Sequence, residues 1–501
     1  MTHVGSANAP AGGVGCGRPD SSLTPSHGPR NRSVGEEDRV VFSMLSCLEE
    51  GADCLADALS ASAAKHQVPG AQLAIHRGGH TVAVAVGETE YGSANPVRRD
   101  TAFPVGSITK AFTATVAMVL VADGDLELDA PVGEYLPKQA AESDDCFARI
   151  TLRQLLSHTS GLPTGPDSVT SGSIRRYVLD HCRQQNLVLP PGTAFSYSNV
   201  GYVLAGHLIE TITGMSWWEA VELILLKPLG IIPSFITAPP TYTPERPIAT
   251  GHSVNRVSGR TVSVQQNEPL VEAPTGSLAV SAEDLVSLGL MHVGPGLPEV
   301  LPPDHAERMR HAVATADPFG LADAWGLGLA IFRDETTDWV GHDGNADGTA
   351  CYLRIDPVGG CVVALTSNAN SGAYLWQDLL TELLEAGICV GGQEVEMPPG
   401  RSTLPAADCV GRYSNGDDDY DVIAQRDGYL YLALDGEVIA RLVFFDDLTF
   451  SLHDPVSGTR MNMGRFHRDP ISRGIDGIHT MGRFARRRVP RIPLASATER
   501  C

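Results

Sequence analysis

The strongest constraint on the fold is a pair of β-rich segments enclosing a long helical interior. Residues 71–77 (AQLAIHR) and 80–86 (HTVAVAV) read as two strands joined by the two-residue turn Gly78-Gly79, a strong hairpin signal. Strand patterns return only late, at 326–332, 349–355 and 361–366, the last two separated by a turn-forming Asp-Pro-Val-Gly-Gly. Between them the apolar spacing is helical at 107–122, 173–185, 200–213 and 217–226, with a polar loop at 161–170. A further helix is expected at 373–386. A chain patterned in this way is α+β: an antiparallel sheet completed by both ends of the segment, flanked by helices, with an adjoining all-helical region.

Residues 1–36 are rich in Gly, Pro, Ser and Asn and have few large apolar side chains, so they read as a flexible arm. A helix is expected over 37–64, interrupted near Gly51, and the main domain runs from 37 to 397. Pro398-Pro399-Gly400 marks a linker. Short β-like runs at 420–424, 429–434, 439–445 and 450–453, divided by Asp-Gly, Asp-Asp and Ser-Gly turns, predict a small all-β domain over 398–485. A loose tail at 486–501 begins with Arg486-Arg487-Arg488.

The 501 residues include 37 basic and 59 acidic ones, a net charge of −22 that argues against nucleic acid or anionic membrane as a partner. The N-terminus lacks a basic start and an apolar core, which predicts a cytoplasmic protein. The ten cysteines show no Cys-x-x-Cys pair or neighbouring His spacing, so free thiols are expected, with no metal and no cofactor.

Three short motifs carry candidate chemistry. Ser107-Ile108-Thr109-Lys110 opens the apolar helix at 107–122, and positions three apart share a helical face, so the lysine amine can reach the serine hydroxyl. The chain has four lysines in all, and Lys110 sits among Ala111, Phe112 and Ala114, where a solvated lysine is out of place. In Tyr197-Ser198-Asn199 a phenol can exchange protons with a lysine, and an amide can hold a substrate amide or cap a helix. His342-Asp343-Gly344 lies at the head of a strand, with Gly341 and Gly348 nearby where backbone can approach a ligand. His158 is expected to order its loop, Trp217-Trp218 to pack a helix, and the Asp417-Asp418-Asp419 run to form a solvated turn.

Together these motifs resemble the penicillin-recognising serine hydrolases, in the class C β-lactamase-related branch. The segments FPVGSITK (103–110), ITLRQLLSHTSGL (150–162), FSYSNVGYVLAG (195–206), PTGSLAVSAEDL (274–285), WGLGL (325–329) and GHDG (341–344) read like that branch. The resemblance implies a β-lactamase/transpeptidase-like fold with the small β-domain of a lipocalin-like type. It implies Ser107 as nucleophile, Lys110 and Tyr197 as shared base and acid, and Asn199, His342, Gly344 and Asn345 as substrate-binding residues. The backbone N–H groups of Ser107 and Asn345 would form the oxyanion hole. His342 stands where the lactamases and many peptidases carry a lysine, and is expected to anchor a carboxylate weakly, titrating near pH 6 to 7. That departure moves weight from β-lactamase or D,D-peptidase action toward a serine hydrolase or acyltransferase acting on an ester or peptide-like amide. A stand-alone peptide cyclase or transacylase, and an inactive ligand-binding member of the fold, are the alternatives.

Overall fold

The computed structural model describes residues 52–391 and 407–488, apart from 143, 167, 335, 336, 446, 456, 457 and 459. The expected N-terminal arm, most of the helix expected over 37–64, the Pro398-Pro399-Gly400 linker and the end of the tail lie outside the described residues.

The helices that matter here are α1 (Ala52–Lys65), α2 (Thr109–Ala122), α3 (Ile174–His181), α4 (Asn199–Thr213), α5 (Ala282–Leu290) and α6 (Gly372–Glu385). The main strands are β1 (Gly70–Arg77), β2 (His80–Gly87), β3 (Ala324–Trp325), β4 (Ala330–Arg333), β5 (Asp338–Gly344), β6 (Ala350–Asp356) and β7 (Cys361–Ser367). They form one antiparallel sheet in the order β2-β1-β7-β6-β5-β4-β3. The β1–β2 turn is Gly78-Gly79, both at positive φ, as a twist-matched two-residue hairpin requires.

The sheet closes the long excursion because β1 pairs with β7, Ala74 lying opposite Ala364. Both strands are buried on both faces, the pattern of a sheet covered on each side. Leu73, Ile75, Val363 and Leu365 face α1 and α6, packing with Leu55, Leu59, Leu375 and Leu379. Ala74, Val362 and Ala364 face the opposite core, which contains α5 and the helical region around α2 and α4. The strand expected at 326–332 divides at a Gly-Leu-Gly-Leu bend, where Gly328 adopts φ +83 with no room for a side chain beside Ala114. The helix expected at 217–226 ends in a π-helical turn, Glu222–Leu226.

Eight strands close the C-terminal barrel: β8 (Gly411–Asn415), β9 (Asp418–Ala424), β10 (Leu430–Leu434), β11 (Glu437–Phe444), β12 (Thr449–His453), β13 (Arg460–Arg468), β14 (Ile475–Thr480) and β15 (Arg483–Arg487). Its centre is packed by Phe444, Phe450 and Phe466. The tail expected to be loose from 486 instead completes the barrel: Arg486 and Arg487 pair with Ser414 and Tyr413 of β8. The polar pattern of that segment hides a strand because Ala485 alone reaches the barrel core, with Phe484 buried on the opposite face against His467 and His479 among the arginines.

Candidate active site

Ser107 lies in a single 3₁₀ turn, Gly106–Ile108, that runs directly into α2. Gly106 is required there: it adopts φ +49, and a side chain would strike the Asn345 carbonyl. Three residues on, the Lys110 side chain is 1% exposed, yet its Nζ donates to Ser107 Oγ at 3.0 Å and to the Thr275 carbonyl at 2.9 Å. A buried amine is costly unless hydrogen-bonded. Here its bonds are spent on a part-exposed serine and a buried carbonyl, an arrangement suited to moving the serine proton.

The segment before α4 supplies the second group. Its helix cap is Ser198, not Asn199: Ser198 Oγ accepts from Gly201 N–H at 2.9 Å. Asn199 is thereby freed, and its Oδ1 is buried without a protein partner among the described residues, an acceptor available to a substrate N–H. Lys110 Nζ lies 5.1 Å from the centroid of the Tyr197 ring. The same ring stacks on His158, centroids 4.1 Å apart. His158 orders its loop as expected: it holds φ +56, its Nδ1 accepts from Ser198 N–H at 3.0 Å, and its carbonyl accepts from Ser196 N–H at 2.8 Å. Burial first, then the charge of Lys110, holds its ring well below the usual histidine range. Trp217 likewise packs as expected, its Nε1–H donating to Thr113 Oγ1 on α2.

His342, Asp343 and Gly344 end strand β5 against the nucleophile turn. Two expectations about them change. His342 is 2% exposed, and burial followed by the nearby Lys110 charge pushes it down to about 4. Its Nδ1–H donates to the Asp343 carbonyl at 2.6 Å, which leaves a bare, buried Nε2. At neutral pH it is therefore a neutral acceptor beside Trp325 and Tyr197, and no cationic carboxylate anchor titrating between 6 and 7. Nor do the glycines open the backbone to a ligand. A side chain at Gly344 would meet the Val105 carbonyl and Ile108, one at Gly341 the Leu353 carbonyl, and one at Gly348 the His252 nitrogen. Gly344 thus lets β5 lie against the Ser107 turn, bringing the Asn345 backbone beside Gly106.

Two further features line the site without a motif to announce them. Glu268, next to Lys110, accepts from Thr275 Oγ1 at 2.9 Å and is raised to about 7 by burial and then by its neighbour Glu272. Glu272 accepts from the buried Tyr177 hydroxyl at 2.8 Å. The second feature comes from the barrel: the Arg483 guanidinium lies 5.7 Å from the Tyr197 centroid, and its Nε is buried without a partner among the described residues. Tyr197 N–H donates to the Gly482 carbonyl at 2.9 Å. In the sequence, Arg483 is one of many arginines in a polar tail.

The Beta-lactamase family model matches residues 55–387. The chain belongs to the β-lactamase family. Within that family it is 32% identical over 360 residues to "Penicillin-binding protein 4" of Amycolatopsis lactamdurans, covering 70% of this chain and 94% of the relative. The crystal structure of SurE with D-Leu superimposes with a TM-score of 0.75 at 35% identity, over 87% of this chain and 99% of the other, so that likeness takes in most of the barrel as well as the β-lactamase-family domain. A D-stereospecific amidohydrolase from Streptomyces sp. matches at 27% identity and a TM-score of 0.51, over 64% of this chain and 96% of that one. These are serine hydrolases of the β-lactamase fold, and this chain has that fold. No helix among the described residues is long and apolar enough to cross a membrane.

Proposed function

We propose that this protein is a serine acyl-enzyme catalyst acting on an ester or peptide-like amide, with Ser107 as nucleophile and the acyl group passing to water or to an amine. The observation that carries the reading is the Lys110 Nζ to Ser107 Oγ hydrogen bond at 3.0 Å inside an otherwise apolar helix start. In acylation the Ser107 proton passes to the Lys110 amine as Oγ bonds to the substrate carbonyl carbon. The developing oxyanion is held by the N–H groups of Ser107 and Asn345. The carbon–nitrogen or carbon–oxygen bond then breaks, and the leaving group takes a proton delivered through Lys110 and Tyr197. In deacylation water or an amine gives its proton to the same pair, attacks the acyl-Ser107 ester and restores the serine hydroxyl.

Asn199 Oδ1 accepts the substrate amide N–H in this reading, and Arg483 supplies the cation that a buried neutral His342 does not. A D-configured residue at the reacting centre is supported by the similarity to a structure solved with D-Leu and to a D-stereospecific amidohydrolase. The buried free thiols of Cys146, Cys182, Cys351, Cys361 and Cys409 support the cytoplasm as the setting. The test is covalent labelling with a serine-directed phosphonate. The adduct is expected on Ser107 alone, and turnover persisting in Ser107→Ala would overturn the assignment.

A further inference from the structure

Residues 196–199 are short of partners within their own domain. Ser196 N–H reaches the His158 carbonyl and Asn199 N–H the Thr164 carbonyl, but Tyr197 N–H and Ser196 Oγ find theirs in the barrel. The residue at the centre of that junction is Asn415, the last of β8 and fully buried. Its Oδ1 accepts from Thr164 N–H at 2.7 Å, and its Nδ2 donates to Ser196 Oγ at 3.2 Å and to the Phe484 carbonyl at 2.9 Å. Thr164 in turn holds Asn199 N–H through its carbonyl at 2.8 Å, while its Oγ1 donates to the Tyr197 carbonyl at 3.4 Å. The approach is close: Gly416 sits at φ +63, and a side chain there would lie 3.0 Å from the Gly165 carbonyl.

From this geometry we infer that Asn415 is a positioning residue for the acylation machinery, with the barrel built into the active site through it. One amide side chain fixes both the Thr164 loop and Ser196, the two supports between which Tyr197 and Asn199 are suspended. Removing the amide takes the acceptor from the part-buried Thr164 N–H and leaves Ser196 Oγ held by the Phe484 N–H alone, which lets the segment shift. A shift of about 1 Å at a proton-transfer group costs up to about 100-fold in rate. The inference rests on the reading of Tyr197 and Asn199 given above.

The experiment compares kcat and KM of the full chain on a small chromogenic ester for Asn415→Ala, Ser196→Ala, their double variant, Arg465→Ala and Tyr197→Phe. Arg465 joins the barrel to the main domain elsewhere, pairing with Asp317 at 3.3 Å and stacking over Phe319. It controls for looser docking. Expected is a fall in kcat of at least about 10-fold in Asn415→Ala with KM little changed, a fall in the same direction in Ser196→Ala, and a double variant no slower than the slower single one. Arg465→Ala keeps the parental kcat. A parental kcat in Asn415→Ala, or an equal fall in Arg465→Ala, overturns the inference. If Asn415→Ala does not fold, Ser196→Ala decides alone, and a parental kcat there overturns it. Tyr197→Phe separates the two readings: slow Tyr197→Phe with fast Asn415→Ala removes this inference only, whereas parental Tyr197→Phe removes the assigned role of Tyr197 and the inference with it.

Discussion

The Arg483 guanidinium and the Tyr197 ring lie 5.7 Å apart, so a side chain from the last strand of the barrel reaches the tyrosine that neighbours Lys110. This cation, unlike His342, is charged at every working pH. Arg483→Ala is expected to lower kcat/KM about 10-fold or more for substrates with a free carboxylate near the reacting bond, the size of a lost charge-assisted hydrogen bond. Neutral esters are expected to change little. Equal effects on both substrate classes, measured side by side, would assign Arg483 to scaffold.

Lys110 and Tyr197 serve one proton path in the proposed mechanism. Lys110→Ala and Tyr197→Phe are each expected to slow acylation by at least about 100-fold. The double variant should be little slower than the worse single one, because a path broken once cannot be broken again. Stopped-flow acylation rates check this, and a near-parental rate in either single variant removes that residue from the path.

His342 sets a pH dependence of stability instead of one of substrate binding. Its native value is about 4, below the ordinary 6.5, so between those values the unfolded chain takes up a proton that the folded one refuses. Stability is therefore retained above pH 6.5 and lost as pH falls toward 4, by about 3 kcal/mol from this group at pH 4. His292 and His479, each held at about 3 chiefly by burial, steepen the same slope. Urea midpoints between pH 4 and 7 should show a shallower slope for His342→Gln than for the parent. His342→Lys, which buries a second amine beside Lys110, should lower stability at pH 7 by roughly 3 kcal/mol without creating a carboxylate anchor. An undiminished slope in His342→Gln would count against the buried neutral histidine.

Glu268, raised to about 7, is the acid near Lys110 whose charge changes across neutral pH. Lys110, Glu272 and Asp347 are the charged groups that act on it. Below pH 7 it is neutral; above, it is an anion that stabilises the positive charge developing on Lys110 as the Ser107 proton arrives. Acylation is expected to rise through a limb near pH 7, and Glu268→Gln to flatten that limb. A limb unchanged in Glu268→Gln assigns the titration to another group.

The hairpin at Gly78-Gly79, the largely apolar strands β6 and β7, the apolar periods of α2 and α4, and the Ser107–Lys110 spacing are local properties. Each depends on neighbours within a few residues, so the sequence by itself determined the fold class and the contact between Ser107 and Lys110. The strand at Arg483–Arg487 escaped because its period is masked by arginines, and its partner β8 lies far away in the chain. In the sequence His342 looks like a titrating carboxylate anchor because nothing in its neighbours there reveals that Trp325, Tyr197 and Lys110 enclose it. Desolvation is a property of the whole fold. The same reason governs Asn415 and Glu268, an asparagine beside a turn and a glutamate before a proline. Only the tertiary structure decided their environment, because burial, hydrogen-bond partners and charge neighbours are contributed by segments hundreds of residues apart, brought together when β1 pairs with β7 and the barrel docks on the Tyr197 segment.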